Sequence, residues 1–296
     1  MIGVLSDKLK TRRIMKKTMF MFAAALMMVA CSNEDVAVND DVQYVSELKL
    51  NFGGGDSRVA ATHSAAGLKF AWEEGDVVRV RPVSNINAKH EFTYNKSTDS
   101  FVATSINGGL TVGEEFIAEF GYQFTVTSET AATGTLVAAV SDGFGNNLPM
   151  VSEKFTAEAE NTFATMRHIV GVVEIPVKAA TGTLSLDYIQ LTNTYGNSYY
   201  GWAGAYDVDL TTKAVTIRGS QGESYRKLTF DGGKSISTEG TSIFIPVVPM
   251  QNVEGVMLQY KLAGKESSKN VYFDDYYLTV QRGKIAKISE VVLQDY

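Results

Sequence analysis

The sequence predicts an all-β fold with two tandem antiparallel β-sandwich domains, which follow an N-terminal export signal. Alternating apolar and polar residues recur in segments of strand length about every ten residues, with Gly, Asn and Asp between them. Residues that favour strands, such as Val, Thr, Tyr and Phe, are frequent, and no long apolar pattern of helical period appears. Short strands joined by such turns are typical of antiparallel sandwiches.

The export signal is predicted at residues 1–30. Lys16 and Lys17 precede an apolar run at 19–30, which would span about 18 Å as a helix. That length is too short for a bilayer core of about 30 Å and fits the apolar region of a secretory signal peptide. We expect Met15 to be the true start, with residues 1–14 read from an upstream start codon.

Cys31, the only cysteine of the chain, follows this run directly. The sequence Met28-Val29-Ala30-Cys31 is similar to the lipobox of bacterial lipoproteins, where cleavage before the cysteine leaves a lipidated N-terminus. One cysteine cannot form an internal disulfide, so lipidation accounts for it better than an incidental thiol does. We therefore predict acylation at Cys31, with palmitate-type chains that anchor the protein in outer-membrane lipid.

The chain beyond the signal is acidic. Residues 1–30 hold six of the 27 Lys and Arg and one of the 33 Asp and Glu, so the rest has 21 basic and 32 acidic residues, a net charge of −11. Such a balance opposes binding to nucleic acid, which requires basic patches. Residues 31–43 are predicted to be an acidic tether. Its acidic run is also similar to the tag of surface-exposed Bacteroidetes lipoproteins, which indicates the cell surface.

The first predicted domain comprises residues 44–160. Its first strand, at 44–52, alternates Leu48, Leu50 and Phe52 with polar residues, so that one face is apolar. Further strands are predicted at 77–83, 91–94, 100–106, 115–120 and within 123–139.

The second predicted domain comprises residues 161–296. The strand pattern fades between Asn146 and Asn161, and we therefore place the domain boundary near residue 160. After it, strands are predicted at 168–177, 183–191, 214–218, 226–230, 241–248, 255–262, 271–280 and 284–293.

No set of residues in the sequence supports catalysis. None of His63, His90 and His168 has a carboxylate or cysteine at ligand spacing, and His168 lies in an apolar strand that favours packing in the core. We therefore predict no enzyme activity, no catalytic residue, no cofactor and no metal site. Two carboxylate pairs are expected at strand ends or turns, with calcium binding or acid–base chemistry as the alternatives: Asp207/Asp209 and Asp274/Asp275.

Aromatic residues and glycines cluster at 195–206. Aromatic faces can stack on sugars, which makes Tyr199, Tyr200 and Trp202 candidate ligand contacts. The alternative is a hairpin whose aromatic side chains pack across the strands, and we favour that packing.

The segment after the first strand has the composition of a protease-sensitive loop. Residues 53–67 begin with three glycines and consist mostly of small residues, which favours flexibility and exposure. Arg58 is the only Lys or Arg between Lys49 and Lys69. A trypsin-like cut there would release residues 31–58, which include the first strand and the lipid.

These features, taken with three further motifs, resemble the fimbrillin family of Bacteroidetes. The motifs are F-x-W-x-x-G-D at 70–76, Asn147-Leu148-Pro149-Met150 before an apolar strand, and Arg282-Gly283-Lys284 near the C-terminus. The resemblance implies a type V pilin with two transthyretin-like sandwiches. It further implies a lipid at Cys31, removal of the first strand by an arginine-specific protease after Arg58, and polymerisation with other pilin subunits by strand exchange.

The leading hypothesis is therefore an adhesive pilus subunit at the cell surface. Removal of residues 44–52 would open a groove, and 285–293 is the candidate strand to fill it. Whether the subunit belongs to the tip, stalk or anchor of a pilus stays open. The alternative hypothesis is a surface glycan-binding lipoprotein, and a glycosidase is a third.

Overall fold

The computed structural model describes residues 42–52, 62–64, 67–69, 71–105, 108–141, 148–193 and 201–296. Within these ranges the regular structure is β-strand, apart from one short 3₁₀-helix at Val83–Asn85. The prediction of an all-β fold is confirmed. The described residues contain no helix of the length and apolarity needed to cross a membrane.

The strands before residue 160 are mostly short, between two and six residues long. In the described part of the chain they are β1 (Tyr44–Val45), β2 (Glu47–Phe52), β3 (Thr62–Ser64), β4 (Gly67–Lys69), β5 (Val77–Pro82), β6 (His90–Asn95), β7 (Ser100–Ala103), β8 (Leu110–Thr111), β9 (Glu115–Phe120), β10 (Phe124–Ser128), β11 (Ala131–Leu136), β12 (Ala139–Ser141), β13 (Met150–Ser152) and β14 (Phe155–Thr156).

The strands after residue 160 include several longer ones. They are β15 (Phe163–His168), β16 (Gly171–Ala179), β17 (Thr183–Asn193), β18 (Ala203–Asp209), β19 (Val215–Glu223), β20 (Tyr225–Ser237), β21 (Thr241–Val247), β22 (Met250–Leu262), β23 (Lys269–Val280), β24 (Ile285–Lys287) and β25 (Val291–Leu293).

The first sheet closes on itself. Its order is β13-β15-β2-β7-β6-β5-β9-β14, and β13 pairs with β9 as well as with β15. Strand β2 lies inside this sheet, antiparallel to β7 and parallel to β15. The inward side chains form a first core, which includes Leu48, Trp72, Phe101 and Phe120.

A second core lies between two sheets formed mainly by the last third of the chain. One sheet has the order β12-β20-β17-β22-β23, and the other places β16 between β21 on one side and β24 and β25 on the other. Their facing side chains, among them Ile189, Leu258 and Leu293, are fully buried. Strands β24 and β25 run parallel to β16 and pair with no other described strand.

A third sheet joins strands from both sides of residue 160. Its order is β10-β11-β18-β19, and β11 pairs with β18 from Ala131↔Asp209 to Leu136↔Gly204. The side chains beneath it form a third core, which includes Phe124 and Tyr206.

The predicted boundary near residue 160 therefore falls between β14 and β15, two strands of one sheet. Strand pairing links the two halves of the chain in the first sheet and again in the third sheet. The division into two tandem transthyretin-like sandwiches stays a prediction.

A buried carboxylate fixes the third sheet to the first. Glu119 on β9 is fully buried, and its Oε1 lies 3.0 Å from Arg79 Nε and 3.0 Å from Arg81 Nη2. Its other oxygen accepts the backbone N–H of Val126 on β10. Arg79 also donates to the carbonyl of Phe124 at 2.7 Å. Because a buried charge is tolerated only when it is paired, this cluster holds β5, β9 and β10 in one arrangement.

Among the described strands most pairs are antiparallel, as predicted, but four are parallel. These are β2 with β15, β12 with β20, and β16 with both β24 and β25. Alternation along a strand is the same for either direction of pairing, so the sequence pattern did not distinguish them.

Candidate assembly site

The N-terminal segment, residues 44–52, pairs with other strands along both of its edges. Val45 pairs with Leu110 on β8, and Leu48 pairs with Phe101 on β7. On the other side, β2 pairs with β15 from Phe163↔Lys49 to Met166↔Phe52. Removal of this segment would therefore leave two strand edges without partners.

The buried face of the N-terminal segment belongs to the first core. Val45, Leu48 and Leu50 are buried there, and the side chains between them are exposed. Phe52 stacks on Trp72 with ring centroids 4.9 Å apart. The face predicted from the alternation of residues 44–52 is confirmed.

The outer side of the same segment borders a polar cavity of about 270 Å³. The backbone N–H of Lys49 donates to the carbonyl of Thr162 at 3.0 Å beside this cavity. The cavity lies between the segment and a loop, and it is lined by Tyr44, Val45, Ser46, Glu47, Lys49, Ala159, Asn161 and Thr162.

The C-terminal segment, residues 288–294, repeats the N-terminal segment in sequence and in burial. Residues 45–51 read VSELKLN, and residues 288–294 read ISEVVLQ. Ile288, Val291 and Leu293 are buried, at the positions that correspond to Val45, Leu48 and Leu50. The other four side chains of each segment are exposed. Both segments also run parallel to a neighbouring strand.

The two segments differ in their place in a sheet. The C-terminal segment pairs only with β16 among the described strands, where Ile288 N–H donates to the Glu174 carbonyl at 3.0 Å and the Leu293 carbonyl accepts Ala180 N–H at 2.8 Å. The chain changes face between β24 and β25, because Ile285 is exposed whereas Ile288 and Val291 are both buried. This shift accounts for the irregular alternation of residues 285–293.

Several residues that the sequence singled out lie outside the described residues. They are Cys31, Arg58, Tyr199 and Tyr200, together with the signal peptide and residues 31–41 of the tether. In the sequence, Arg58 falls between the end of β2 and the start of β3.

Trp202 is placed in the protein interior and not on a binding surface. Its side chain is 0% exposed and packs in the second core. A buried indole offers no face to a sugar, so the role of a ligand contact does not fit this residue as it stands in the structure. Its environment agrees with the packing alternative.

His168 is a buried core residue, as predicted. Burial, with a smaller contribution from the nearby Arg282 charge, lowers the pKa of His168 to about 4. In the described residues, no three His, Cys, Asp or Glu side chains come together in a way that could hold a metal ion.

The two carboxylate pairs differ in their outcome. Asp207 pairs with Arg218, and Asp209 ends β18 in a turn where its Oδ1 accepts the N–H of Thr211 at 2.8 Å. The predicted strand-end position is therefore confirmed for Asp209, whereas Asp207 lies inside β18. Asp274 and Asp275 both lie within β23, so the prediction is wrong for them. The register of β22 and β23 shifts nearby, and such a bulge gives the turn-like sequence without ending the strand.

The fold is similar to solved structures of Bacteroides proteins. A "putative cell adhesion protein" from Bacteroides ovatus matches over 85% of this chain and 99% of its own, with a TM-score of 0.51 and 13% identity. Another from Bacteroides uniformis matches over 85% and 94%, with a TM-score of 0.49 and 16% identity. A fimbrial protein from Bacteroides ovatus matches over 86% and 50%, with a TM-score of 0.44 and 11% identity.

No protein-family model and no curated protein matches the chain. At such low identities, the similarity concerns the fold alone. For the fold, the predicted likeness to fimbrillin-like proteins is confirmed.

Proposed function

We propose that this protein is an adhesive, fimbrillin-like pilus subunit that assembles by exchange of a β-strand. In this proposal it is exported as a lipoprotein through Cys31, reaches the outer face of the outer membrane, and is cut after Arg58 by an arginine-specific protease. The names of the structurally similar proteins support a role in adhesion. The repetition of the N-terminal segment by the C-terminal segment is the observation that carries the proposal.

Cleavage after Arg58 would leave the N-terminal segment attached only by non-covalent contacts. Its loss uncovers the positions of Val45, Leu48 and Leu50, each worth roughly 1.5–3 kcal/mol when buried. It also leaves β7 and β15 with unpaired backbone groups that face each other. An apolar slot between two open strand edges favours the addition of a new strand.

The C-terminal segment of a second copy has the side chains that this slot requires. Ile288, Val291 and Leu293 correspond in spacing to the three side chains removed. Leaving its own sheet costs the segment about as much apolar burial as it regains in the slot. However, it exchanges one neighbouring strand for two, and each added backbone hydrogen bond contributes about 0.5–1.5 kcal/mol. The additional backbone hydrogen bonds between strands therefore favour insertion of the segment into the second copy.

Cleavage by an arginine-specific protease tests this function. We expect the treated protein to be cut after Arg58 and to shift to oligomers in size-exclusion chromatography with light scattering. Arg58→Ala should stay uncut at this position and monomeric, whereas Arg218→Ala, at an exposed arginine outside the segment, should behave as the parent does. If Arg58→Ala assembles as well as the parent, the cleavage mechanism is wrong.

A peptide of residues 285–296 tests the identity of the exchanged strand without altering the protein's own second core. We expect the peptide to bind the cleaved protein and to reduce its oligomerisation. A peptide carrying Val291→Asp should fail, and one carrying Val292→Asp should still bind, because Val292 corresponds to the exposed Lys49. Equal binding of the two variant peptides would contradict the proposed face.

A further inference from the structure

A basic cavity of about 490 Å³ opens where the first and third sheets meet the turn before β24. Its floor is apolar and includes Val151 and Leu210, and its rim carries the hydroxyl-bearing Thr130 and Thr211. This volume lies within the range of pockets that hold small ligands, and mixed apolar and polar walls are typical of them.

The cavity is positively charged in a chain that is negative as a whole. Lys154, Arg167, Lys213 and Arg282 line it, against the two carboxylates Glu129 and Glu153, which leaves an excess of two positive charges among the lining side chains. Outside the lining, Glu115 also lies 3.7 Å from Lys154 Nζ. The entire chain has a formal charge of −6. The excess is therefore a local feature of this cavity and not a reflection of composition.

The carboxylates of the cavity form their ion pairs with residues other than Arg282. Glu153 Oε1 lies 3.3 Å from Arg167 Nε and 3.2 Å from Lys213 Nζ, and Glu129 lies 3.5 Å from Lys154 Nζ. Among the described residues, no carboxylate lies within ion-pair distance of Arg282.

The guanidinium of Arg282 is nevertheless held in place. Its Nε donates to the His168 carbonyl at 2.8 Å, and its Nη1 donates to the Lys213 carbonyl at 3.4 Å. Burial, and after it the charge of Arg167, lower the pKa of Arg282 to about 10, against a smaller opposing effect of the Glu153 charge. A fixed, partly buried guanidinium beside a second one is an arrangement that an anion from outside would stabilise.

We propose that this cavity binds an acidic saccharide unit, whose carboxylate lies against Arg282 and Arg167. A planar guanidinium matches the geometry of a carboxylate, and the hydroxyls of Thr130 and Thr211 can bond to sugar hydroxyls. The apolar floor accommodates the C–H face of a sugar ring. The site includes neither a residue of the N-terminal segment nor Trp202, so it can be tested on the uncleaved protein, apart from strand exchange.

Calorimetric titration of the uncleaved protein with glucuronic acid tests the site, with glucose as the matched neutral sugar. We expect glucuronic acid to bind at least about tenfold more tightly, since hydrogen bonds to charged groups are worth that much. Arg282→Gln should weaken binding about tenfold. Thr211→Glu, which adds a carboxylate at an exposed position of the rim, should weaken it similarly, and Arg218→Gln should not.

Each outcome of this titration decides the proposal. Thermal unfolding of each variant establishes that it is folded. If Arg282→Gln does not fold, Thr211→Glu alone tests the cavity. Equal binding of glucose and glucuronic acid, or parental affinity in both cavity variants, would overturn it. If inorganic sulfate binds and glucuronic acid does not, the saccharide assignment is overturned. It is also overturned if none of these ligands binds.

Discussion

Glu119 is the residue on which the junction of the first and third sheets depends most. It is fully buried, and the two arginine side chains beside it are only 28% and 11% exposed. We predict that Glu119→Gln lowers the free energy of unfolding by about 3 kcal/mol, because it leaves two poorly solvated cations without a counter-charge. Denaturant titration measures this loss.

Glu91→Gln is the matched control for that substitution. Its ion pair with Lys89 is exposed, so the free energy of unfolding should change by less than about 1 kcal/mol. A comparable loss in both variants would mean that the Glu119 cluster is not the buried ion pair described above.

His168 predicts a pH dependence of stability. Its pKa is about 4 in the folded protein, against an ordinary value of 6.5. Between these values the unfolded chain binds a proton that the folded chain does not, so stability falls as the pH drops through this window. The expected loss between about pH 7 and about pH 5 is about 2 kcal/mol.

Urea titration at the two pH values measures this loss. His168→Gln should remove about 2 kcal/mol of the pH dependence, whereas His90→Gln should keep it, because His90 is only half-buried. If both variants show the same dependence as the parent, the proton taken up belongs to other groups.

The buried state of single residues was only partly predictable from the sequence. His168 sits in an apolar strand, and that context was sufficient to place it in the core. Trp202 sits among tyrosines and glycines, a composition shared by sugar-binding surfaces and packed hairpins. Its burial depends on strands β16 and β20 to β23, which are distant in sequence, so local composition could not decide it.

Among the elements, the strands could be located from the sequence, and their partners could not. Alternation in residues 44–52 gave the correct inward face, because side chains alternate in any strand. It could not show that β2 pairs with β15, since that contact joins residues far apart in the chain. The repeat of VSELKLN as ISEVVLQ is visible in the sequence itself, and a comparison of the chain with itself would have revealed it.

The two faces of the C-terminal strand β25 should differ in their contribution to stability. Leu293 is 0% exposed and Val292 is 43% exposed, on neighbouring positions of β25. We expect Leu293→Ala to lower the free energy of unfolding by about 2–5 kcal/mol, the usual cost of a cavity in a core. Val292→Ala should change it by less than about 0.5 kcal/mol. Similar losses in both variants would contradict the placement of β25 against the second core.

At the scale of the molecule, the third core determines whether the two halves of the chain unfold together. The first and second cores each contain one of the 2 Trp residues, Trp72 and Trp202. Between them, the third sheet pairs β11 with β18 and so joins residues before and after position 160. Residues Gln43–Tyr296 accordingly pack as a single unit.

We therefore predict that the first and second cores unfold together. In Trp202→Phe the remaining Trp72 reports the first core, and in Trp72→Phe the remaining Trp202 reports the second. Because unfolding of either core would break the β10-β11-β18-β19 sheet, each single-Trp variant should follow one transition whose fluorescence midpoint coincides with its circular-dichroism midpoint. Two separated transitions, with fluorescence following only one of them, would show instead that the halves are independent domains joined by a weak contact.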